Sequence, residues 1–414
     1  MEWDPAHVRA LRHALRLSQE SFAYQVGAAP KTVRNWEGGR HPPGLALQRA
    51  LDDALESASA EQKKRFFASL APDHDVGAMP GGAAPAGTAP AVSLDDLKRI
   101  AAALVDARCY MDREAAEHFR RQIAACAAAD GLRGPKHTLP AVLGIVGAVE
   151  RSACEVKLPI RAELLRVGAQ CAEFAAWLYR DLGVSVVAEC WRDRAIEWAE
   201  EAGDSAMQGY VLLKKSQAAW DERDAPRMLS LAQAVQQGSW RIPIRVRAEA
   251  VQQEARGHAM LGDGLQVMER KLDEARELLA TEGSQDGLED EAQLSSHYGP
   301  PLFAMQTAIC YCEAGRPGRA VEIYRDQLID EAFSRRDYGY FLSLMANALA
   351  AAGEPGEASG IGIKALSIAL ATNSTRTVRE VSRVGARLEP WRHHPPVREL
   401  HDALTATGAS VSSW

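Results

Sequence analysis

The chain has 414 residues, of which 47% are hydrophobic and 25% charged, so it can form two or three domains with buried cores. Its net charge of −7 argues against a protein that coats nucleic acid along its whole length. Residues 1–50, however, carry seven Lys or Arg and four Asp or Glu, a net charge of +3 that leaves −10 for the remainder. This distribution is typical of DNA contact through the N-terminal part alone.

Apolar runs and cysteines indicate the compartment. No apolar run is long enough to span a bilayer, and the acidic start of the chain lacks the core of a signal peptide. The seven cysteines show no CxxC spacing, and Cys310 and Cys312 would point to different sides of a helix. We therefore expect reduced thiols, no metal site, no membrane partner and a cytoplasmic location.

The first two predicted helices lie within residues 8–26. Three apolar residues at helical spacing form one face of the first helix: Val8, Leu11 and Leu15. Ser18 is placed to cap a second helix over 19–26, because its hydroxyl can accept a hydrogen bond from a free backbone N–H. Gly27 follows, as a glycine commonly does where a helix ends in a left-handed residue.

A third short helix is predicted to begin at Ala29-Pro30, where proline loses no hydrogen bond. Val33 and Trp36 are three residues apart and therefore share an inward face. The opposite face is polar and partly basic, and it carries Lys31, Arg34 and Asn35. A fourth helix is predicted over about residues 45–55. Two short helices around a tight turn are an arrangement that presents a helix to the major groove of DNA.

These helices resemble the Cro/cI, or XRE-type, helix-turn-helix family of regulators. The matching residues are Leu17-Ser18-Gln19-Glu20, Val26-Gly27, Thr32-Val33, Trp36-Glu37 and Gly39-Arg40. The resemblance implies that Gln19 contacts a phosphate or base at the start of the second helix and that Arg40 contacts phosphate. It also implies that the outward residues of the third helix read bases or the backbone: Lys31, Thr32, Arg34 and Asn35.

Two positions depart from the family pattern. Ala29 stands where Ser or Thr usually caps the third helix, and Pro30 replaces a polar residue that could reach a base. Fewer donors therefore face the groove, although Lys31 and Arg34 can bond guanine and Asn35 can pair with adenine. The alternative function is a protein-interaction scaffold whose helix-turn-helix head no longer reads sequence.

Residues 71–92 are rich in proline, glycine and alanine, and nothing in them can form a core face. We predict a flexible linker there. It divides the chain into a helix-turn-helix head at residues 1–70 and a helical body at residues 93–410.

The body is almost wholly helical by its apolar periodicity, and strand-like alternation is scarce, so the predicted fold class is all-α. Short turns are expected at five positions: Gly183, Arg223, Gly262, Gly315 and Gly353. Their steps of 40, 39, 53 and 38 residues indicate an α-solenoid of paired helices. The longest step holds an expected loop at Thr281–Pro301, and a further excess is expected at Gly264–Arg270.

The helix pairs resemble tetratricopeptide repeats over about residues 164–390. Small residues after the turns let two helices approach closely: Ala188, Ala195, Ala320, Ala358 and Ala365. Repeats of the HEAT type are the alternative. In the tetratricopeptide register, counting back from the turns gives an inner wall whose candidate ligand-binding residues are Tyr210, Gln217, Gln252, Arg256, Tyr340 and Asn347. The resemblance implies that Asn347 clamps a peptide backbone.

The sequence has no GxxxxGK(S/T), HExxH or GxSxG motif and no GxGxxG after a strand pattern, so we expect neither an enzyme nor a cofactor. The head and body together resemble helix-turn-helix regulators with tetratricopeptide sensors, including the RRNPP group of peptide-responsive regulators. This resemblance implies a transcription regulator that binds double-stranded DNA as a homodimer. A peptide or small-molecule effector in the body would control the dimer geometry.

Overall fold

The computed structural model describes residues 3, 5–15, 17–38, 41, 43–59, 62, 63, 66, 94–281 and 294–408. Across these residues the secondary structure consists of helices, turns and bends without a strand, which confirms the all-α class. Two compact units are present, Met1–Gly87 and Thr88–Trp414, called the head and the body below. The expected linker at 71–92 lies outside the described residues. No described helix is both long and apolar enough to cross a membrane.

Four helices form the described part of the head: α1 (Pro5–Ala14), α2 (Gln19–Gln25), α3 (Pro30–Glu37) and α4 (Leu45–Glu56). The local signals act as the sequence predicts. The Ser18 hydroxyl accepts a hydrogen bond from the Ser21 N–H, Gly27 has a φ of 67°, and Pro30 is the first residue of α3. The head core is aromatic and aliphatic, with Trp3, Val8, Leu11, Phe22, Val33, Trp36, Leu51 and Phe66 all buried.

The body begins with α5 (Leu94–Val105), the short α6 (Ala107–Tyr110), α7 (Arg113–Arg133) and α8 (Pro135–Ala153). Asp106 and Asp112 separate the first three helices, because each carboxylate accepts a backbone N–H of the helix that follows it.

Five helix pairs follow, and the two helices of each pair pack against each other. The pairs are α9 (Leu158–Asp181) with α10 (Ser185–Glu201), α11 (Ser205–Asp221) with α12 (Ala225–Gln237), α13 (Ile244–Leu261) with α14 (Leu265–Ala280), α15 (Pro300–Glu313) with α16 (Pro317–Gln327), and α17 (Arg335–Ala352) with α18 (Pro355–Thr372). The body ends with α19 (Thr375–Arg387) and α20 (Pro395–Ala406).

The predicted turns between paired helices are confirmed. All five turn residues have a positive φ, including the non-glycine Arg223 at 59°. The small residues predicted after them are fully buried, namely Ala188, Ala195, Ala320, Ala358 and Ala365. A glycine turn followed by close helix approach therefore recurs in three of the pairs, those that begin with α9, α15 and α17.

One local expectation was wrong. Gly264–Arg270 is not an excess outside the repeat, because α14 runs unbroken from Leu265 to Ala280 and Gly264 is its N-cap. Near the C-terminal end, Pro395 is the first residue of α20, where proline forfeits no hydrogen bond. Of the loop expected at 281–301, residues 282–293 lie outside the described part of the chain, and the helix α15 already begins at Pro300.

The two ends of the body contact each other, and we call this contact the seam. Helix α7 touches α17 and α18, and α9 touches α19. The approach is close at Gly134, where a Cβ would lie 1.6 Å from the carbonyl oxygen of Thr372. The first helices of successive pairs therefore surround a common interior rather than an open groove.

Candidate functional site

Helix α3 exposes one polar face. Val33 and Trp36 are buried in the head core, whereas Lys31 and Arg34 are exposed and Thr32 and Asn35 are half-buried. Among the described residues, neither Lys31 nor Arg34 forms an ion pair. The remaining predicted DNA contact, Arg40, lies outside the described residues. Two unpaired cations on the outer side of a short helix can bond phosphate or base edges.

A buried carboxylate holds α3 in place. Glu37, the last residue of α3, accepts hydrogen bonds from Nε of Arg12 at 2.6 Å and from Nη2 of Arg12 at 3.2 Å. Nη2 of Arg9 also donates to the Glu37 carbonyl oxygen at 2.6 Å. Burial alone would raise the pKa of Glu37, but the hydrogen bonds from Arg12 and Gln19 lower it overall. The charge-assisted bonds fix the angle between α1 and α3.

Gln19 shares this carboxylate. Its Nε2 donates to Oε2 of Glu37 at 2.6 Å, so the amide donor at the start of α2 is used inside the head. The Gln19 side-chain oxygen remains for an outside partner. At the start of α3, Ala29 provides no side-chain cap, which agrees with the sequence.

The body encloses a cavity of about 520 Å³. Four helices each include in its lining a set of three residues at spacings of four and three: Glu173, Trp177 and Arg180 of α9; Tyr210, Lys214 and Gln217 of α11; Glu249, Gln253 and Arg256 of α13; and Leu302, Gln306 and Ile309 of α15. Side chains at i, i+4 and i+7 share one helix face, so the cavity wall is built from one stripe per helix pair. Helices α17 and α19 complete it with Arg336, Tyr340 and Arg376.

Four of the six residues predicted to bind a ligand line this cavity: Tyr210, Gln217, Arg256 and Tyr340. The other two lie elsewhere. Gln252 is fully buried, where its amide donates to the Phe303 carbonyl oxygen and accepts the Tyr298 hydroxyl. Asn347 is not part of the lining, and its Oδ1 accepts a hydrogen bond from Nε of Arg387 at 3.1 Å.

Glu249 organises the α11–α13 side of the cavity. Its carboxylate accepts from Gln217 at 2.6 Å and from Ser295 at 2.7 Å, and Nζ of Lys214 lies 3.6 Å away. Burial raises the pKa of Glu249, but Lys214, the neighbouring His297 and these hydrogen bonds lower it overall. Glu249 is therefore satisfied by the protein itself.

The opposite side of the cavity is an arginine–aromatic cluster around Trp177. The guanidinium carbons of Arg180, Arg336 and Arg376 lie 5.6, 5.0 and 4.7 Å from the Trp177 ring centre. Arg376 also lies 3.7 Å from the ring centre of Tyr340. Cations over aromatic faces are stabilised by the ring quadrupole, most strongly where water is excluded.

Each of these arginines has a carboxylate partner. Arg180 donates to Asp221 at 3.0 Å, Arg336 pairs with Asp130 and Asp337, and Nε of Arg376 lies 3.4 Å from Asp181. Since Asp130 belongs to α7 and Arg336 to α17, one pair crosses the seam. The Asp181–Arg376 pair crosses it as well. The cavity therefore opens directly onto the contact that joins the two ends of the body.

The sequence reasoning missed several lining residues, among them Lys214, Gln253, Gln306, Arg336 and Arg376. The first three carried a usable signal. They lie three residues before Gln217, Arg256 and Ile309 on the same helix faces, whereas the predicted Gln252 lies four residues before Arg256 and is not in the lining. Arg336 and Arg376 carried none, because only the seam brings them to the cavity.

No protein-family model matches this chain, and no curated protein matches it either. No group of three or more His, Cys, Asp or Glu in the described part of the chain is arranged to hold a metal ion. The head surface and the body cavity are therefore the features from which function is inferred.

Proposed function

We propose that this chain is a sequence-specific DNA-binding transcription regulator in which α2 and α3 form an XRE-type helix-turn-helix. The observation that carries the proposal is the face of α3 opposite Val33 and Trp36. It exposes Lys31 and Arg34 without an ion-pair partner among the described residues. The Arg12–Glu37 ion pair anchors that helix to α1, so the basic face is presented on a rigid support.

The chemistry of this face suits a duplex. Arg34 and Lys31 can donate to O6 and N7 of guanine, and Asn35 can pair with N6 and N7 of adenine. A single eight-residue helix reads too few bases for a unique site. We therefore infer a homodimer on paired half-sites, as is usual for this type of reader.

The body is proposed as the sensor. Its paired helices, tetratricopeptide-like in their turns and small-residue positions, surround a polar and aromatic cavity of a size that fits a small molecule. An effector in the cavity would change the relative arrangement of two bodies in a dimer, and thereby the spacing of their two heads. On these grounds we propose that the chain works in the manner of regulators of the RRNPP type.

The test is a gel shift of the full-length protein with its own upstream region and with a shuffled fragment of equal length. Selective retention of the upstream fragment at moderate salt is expected. Arg34→Ala with Asn35→Ala should abolish the selectivity, whereas Arg335→Ala, an equal loss of charge on the body, should preserve it. Equal retention of both fragments by the unmodified protein would overturn sequence-specific binding.

A second candidate is an interaction scaffold whose head has lost readout. The Gln19 amide nitrogen already donates to Glu37, and Ala29 has no polar side chain at the N-cap of α3. Both observations favour this candidate, because each reduces the number of side-chain donors available to DNA. In that case the gel shift shows weak binding without sequence preference. The body would then be expected to retain a partner protein in affinity purification equally well with or without Arg34 and Asn35.

A further inference from the structure

The Arg376 guanidinium in the body cavity has unused hydrogen-bond donors. Its side chain is 8% exposed, and its Nε makes only a long contact of 3.4 Å with Asp181. None of the described residues accepts a hydrogen bond from its two terminal nitrogens. The guanidinium lies over the rings of Tyr340 and Trp177. Because its N–H groups lie in the guanidinium plane, contact through the faces leaves the donating edge free.

The carboxylate nearest to this arginine does not occupy that edge. Asp181 is fully buried, lies outside the cavity lining, and accepts a second hydrogen bond from the Ser374 hydroxyl at 2.7 Å. Its negative charge compensates the buried positive charge of Arg376 from outside the cavity lining. The positive charge of Arg376 is thus balanced by Asp181, but the two terminal nitrogens of its guanidinium have no hydrogen-bond acceptor among the described residues.

Two further polar atoms in the lining lack partners. Nε of Arg256 and Oε1 of Gln253 are both buried without a hydrogen bond. Arg256 is 4% exposed and Gln253 is fully buried, so neither side chain can turn out to bulk solvent. Buried polar atoms without partners are costly, and both of these belong to side chains that line the cavity.

The cavity also contains one acid without a described partner, Glu173, which raises the opposite possibility of a cationic occupant. Burial raises the pKa of Glu173 despite the nearby Lys214, Arg192 and Arg180. Burial therefore opposes the charged form of Glu173, the form that would attract a cation. The remaining lining acids, Glu249, Asp130 and Asp337, are already paired. Unused hydrogen-bond donors, in contrast, remain on the Arg376 guanidinium.

Large apolar side chains occupy the rest of the wall. Phe174, Trp220, Leu302, Ile309, Phe333 and Phe341 line the cavity together with Trp177 and Tyr340. An occupant with a flat or branched apolar part would bury it against these side chains, since apolar contact supplies most of the binding energy in such sites.

We propose that the cavity binds a small organic acid, with its carboxylate or phosphate group held by the free edge of Arg376 and its apolar part packed against the aromatic wall. This deepens the sensor role proposed above for the body and does not depend on DNA binding by the head. Because Arg376 also belongs to the seam, the bound acid links α9, α17 and α19.

The test uses the full-length chain with three aromatic acids: phenylacetate, indole-3-acetate and phenyl phosphate. Each carboxylate is compared with its neutral amide, and phenethylamine serves as the cationic probe. Calorimetry and thermal unfolding are expected to show binding of at least one acid, about tenfold or more tighter than the corresponding neutral compound, as for a charged hydrogen bond in a water-poor site. Equal binding of acid and amide, tighter binding of the amine, or binding of none of the acids overturns the proposal.

Variants locate the acid group. Arg376→Lys keeps the charge but removes the fork, so the acid should bind about tenfold more weakly. Arg376→Gln should remove the preference for acid over amide, while Arg335→Gln, an exposed arginine on α17, should leave it unchanged. If Arg376→Gln does not fold, the affinity of the Arg376→Lys variant and the acid–amide comparison on the unmodified protein still test whether Arg376 holds the acid group. Retained preference in a folded Arg376→Gln protein overturns the assignment.

The two proposals fail separately. Acid binding without any sequence-selective gel shift would refute the regulator and leave the cavity assignment standing. A selective gel shift together with no acid binding would refute the cavity assignment alone.

Discussion

Asp181 and Ser374 are separated by 193 residues, yet the Ser374 hydroxyl donates a hydrogen bond of 2.7 Å to the Asp181 carboxylate. Asp181 ends α9, and Ser374 is the N-cap of α19. Both side chains are buried. The Ser374 hydroxyl also accepts a hydrogen bond from the Thr377 N–H. Asp181, Ser374 and Thr377 thus form a buried hydrogen-bonded group that joins α9 to α19.

Asp181→Ala should weaken the seam. The substitution leaves Arg376 as a buried cation without its nearest counter-charge, which costs about 3–5 kcal/mol of unfolding free energy. Chemical unfolding of the full-length protein measures the loss, and hydrogen exchange of peptides covering 374–388 locates it. Asp326→Ala, at an exposed position on α16, should change the stability by less than about 0.5 kcal/mol. Equal effects of the two substitutions would contradict a seam held by Asp181.

Gly134, just before α8, and Gly144, in the middle of α8, should change the stability in opposite directions when each is replaced by alanine. Gly134 has a φ of 81°, and its Cβ would collide with the Thr372 carbonyl oxygen, so Gly134→Ala should destabilise the body by about 3 kcal/mol or more. Gly144 lies in the middle of α8 with open space around it. Gly144→Ala should stabilise by about 1 kcal/mol, because alanine is the better helix former. Thermal unfolding of the two variants measures the direction of each stability change. An unchanged stability of Gly134→Ala would argue against the close contact across the seam.

The features predicted from sequence are those set by neighbouring residues. The cap at Ser18, the left-handed turn at Gly27 and the five turn residues with positive φ each depend on a few adjacent positions. Burial of Val33 and Trp36 follows from helical spacing in the same way.

The features missed depend on distant contacts or on exact register. Gln252 and Gln253 differ by one position, which is 100° around a helix, and only the second faces the cavity. Arg336 and Arg376 reach the cavity through the seam, where Arg376 and its partner Asp181 are 195 residues apart in sequence. No local pattern encodes such a contact, so repeat spacing alone predicts neither the seam nor the two arginines that it brings to the cavity.

Stability of the head should depend on pH through Glu37. Folding lowers the pKa of Glu37 below its ordinary value of 4.5, so the unfolded chain binds this proton more readily. The stabilisation is therefore fully present above pH 4.5 and is lost as the pH falls through the lower folded value. Hydrogen exchange of peptides covering 5–38 in the full-length protein, corrected for intrinsic rates, should show the loss of protection.

Glu37→Gln isolates this contribution. It should lower head protection at neutral pH by about 2 kcal/mol, because a charged hydrogen-bond acceptor of Arg12 is replaced by a neutral one. It should also flatten the decline below pH 4.5. Glu20→Gln, at an exposed position in the first turn of α2, should leave both properties unchanged. An unaltered acid profile in Glu37→Gln would remove Glu37 from this explanation.

Lys31 and Arg34 should affect DNA binding in different ways if α3 enters the major groove. Arg34→Ala should relax the preference at one base pair by about 1–3 kcal/mol. Lys31→Ala, if that side chain contacts phosphate, should weaken binding to all sequences equally and reduce the salt dependence by about one counterion. Binding measured at several salt concentrations on single-base variants separates the two. Identical losses on every variant for both substitutions would mean that α3 does not read sequence.

The joined ends of the body alter what a shortened chain can do. In an open array of repeats, the last unit contacts only its neighbour, and its removal leaves the others intact. Here α17, α18 and α19 also touch α7 and α9, so cutting the chain before Ser374 would remove both Ser374 and Arg376 from Asp181. Removal of α19 should therefore destabilise α9 as well. We expect the body to unfold in a single cooperative transition and not one repeat at a time.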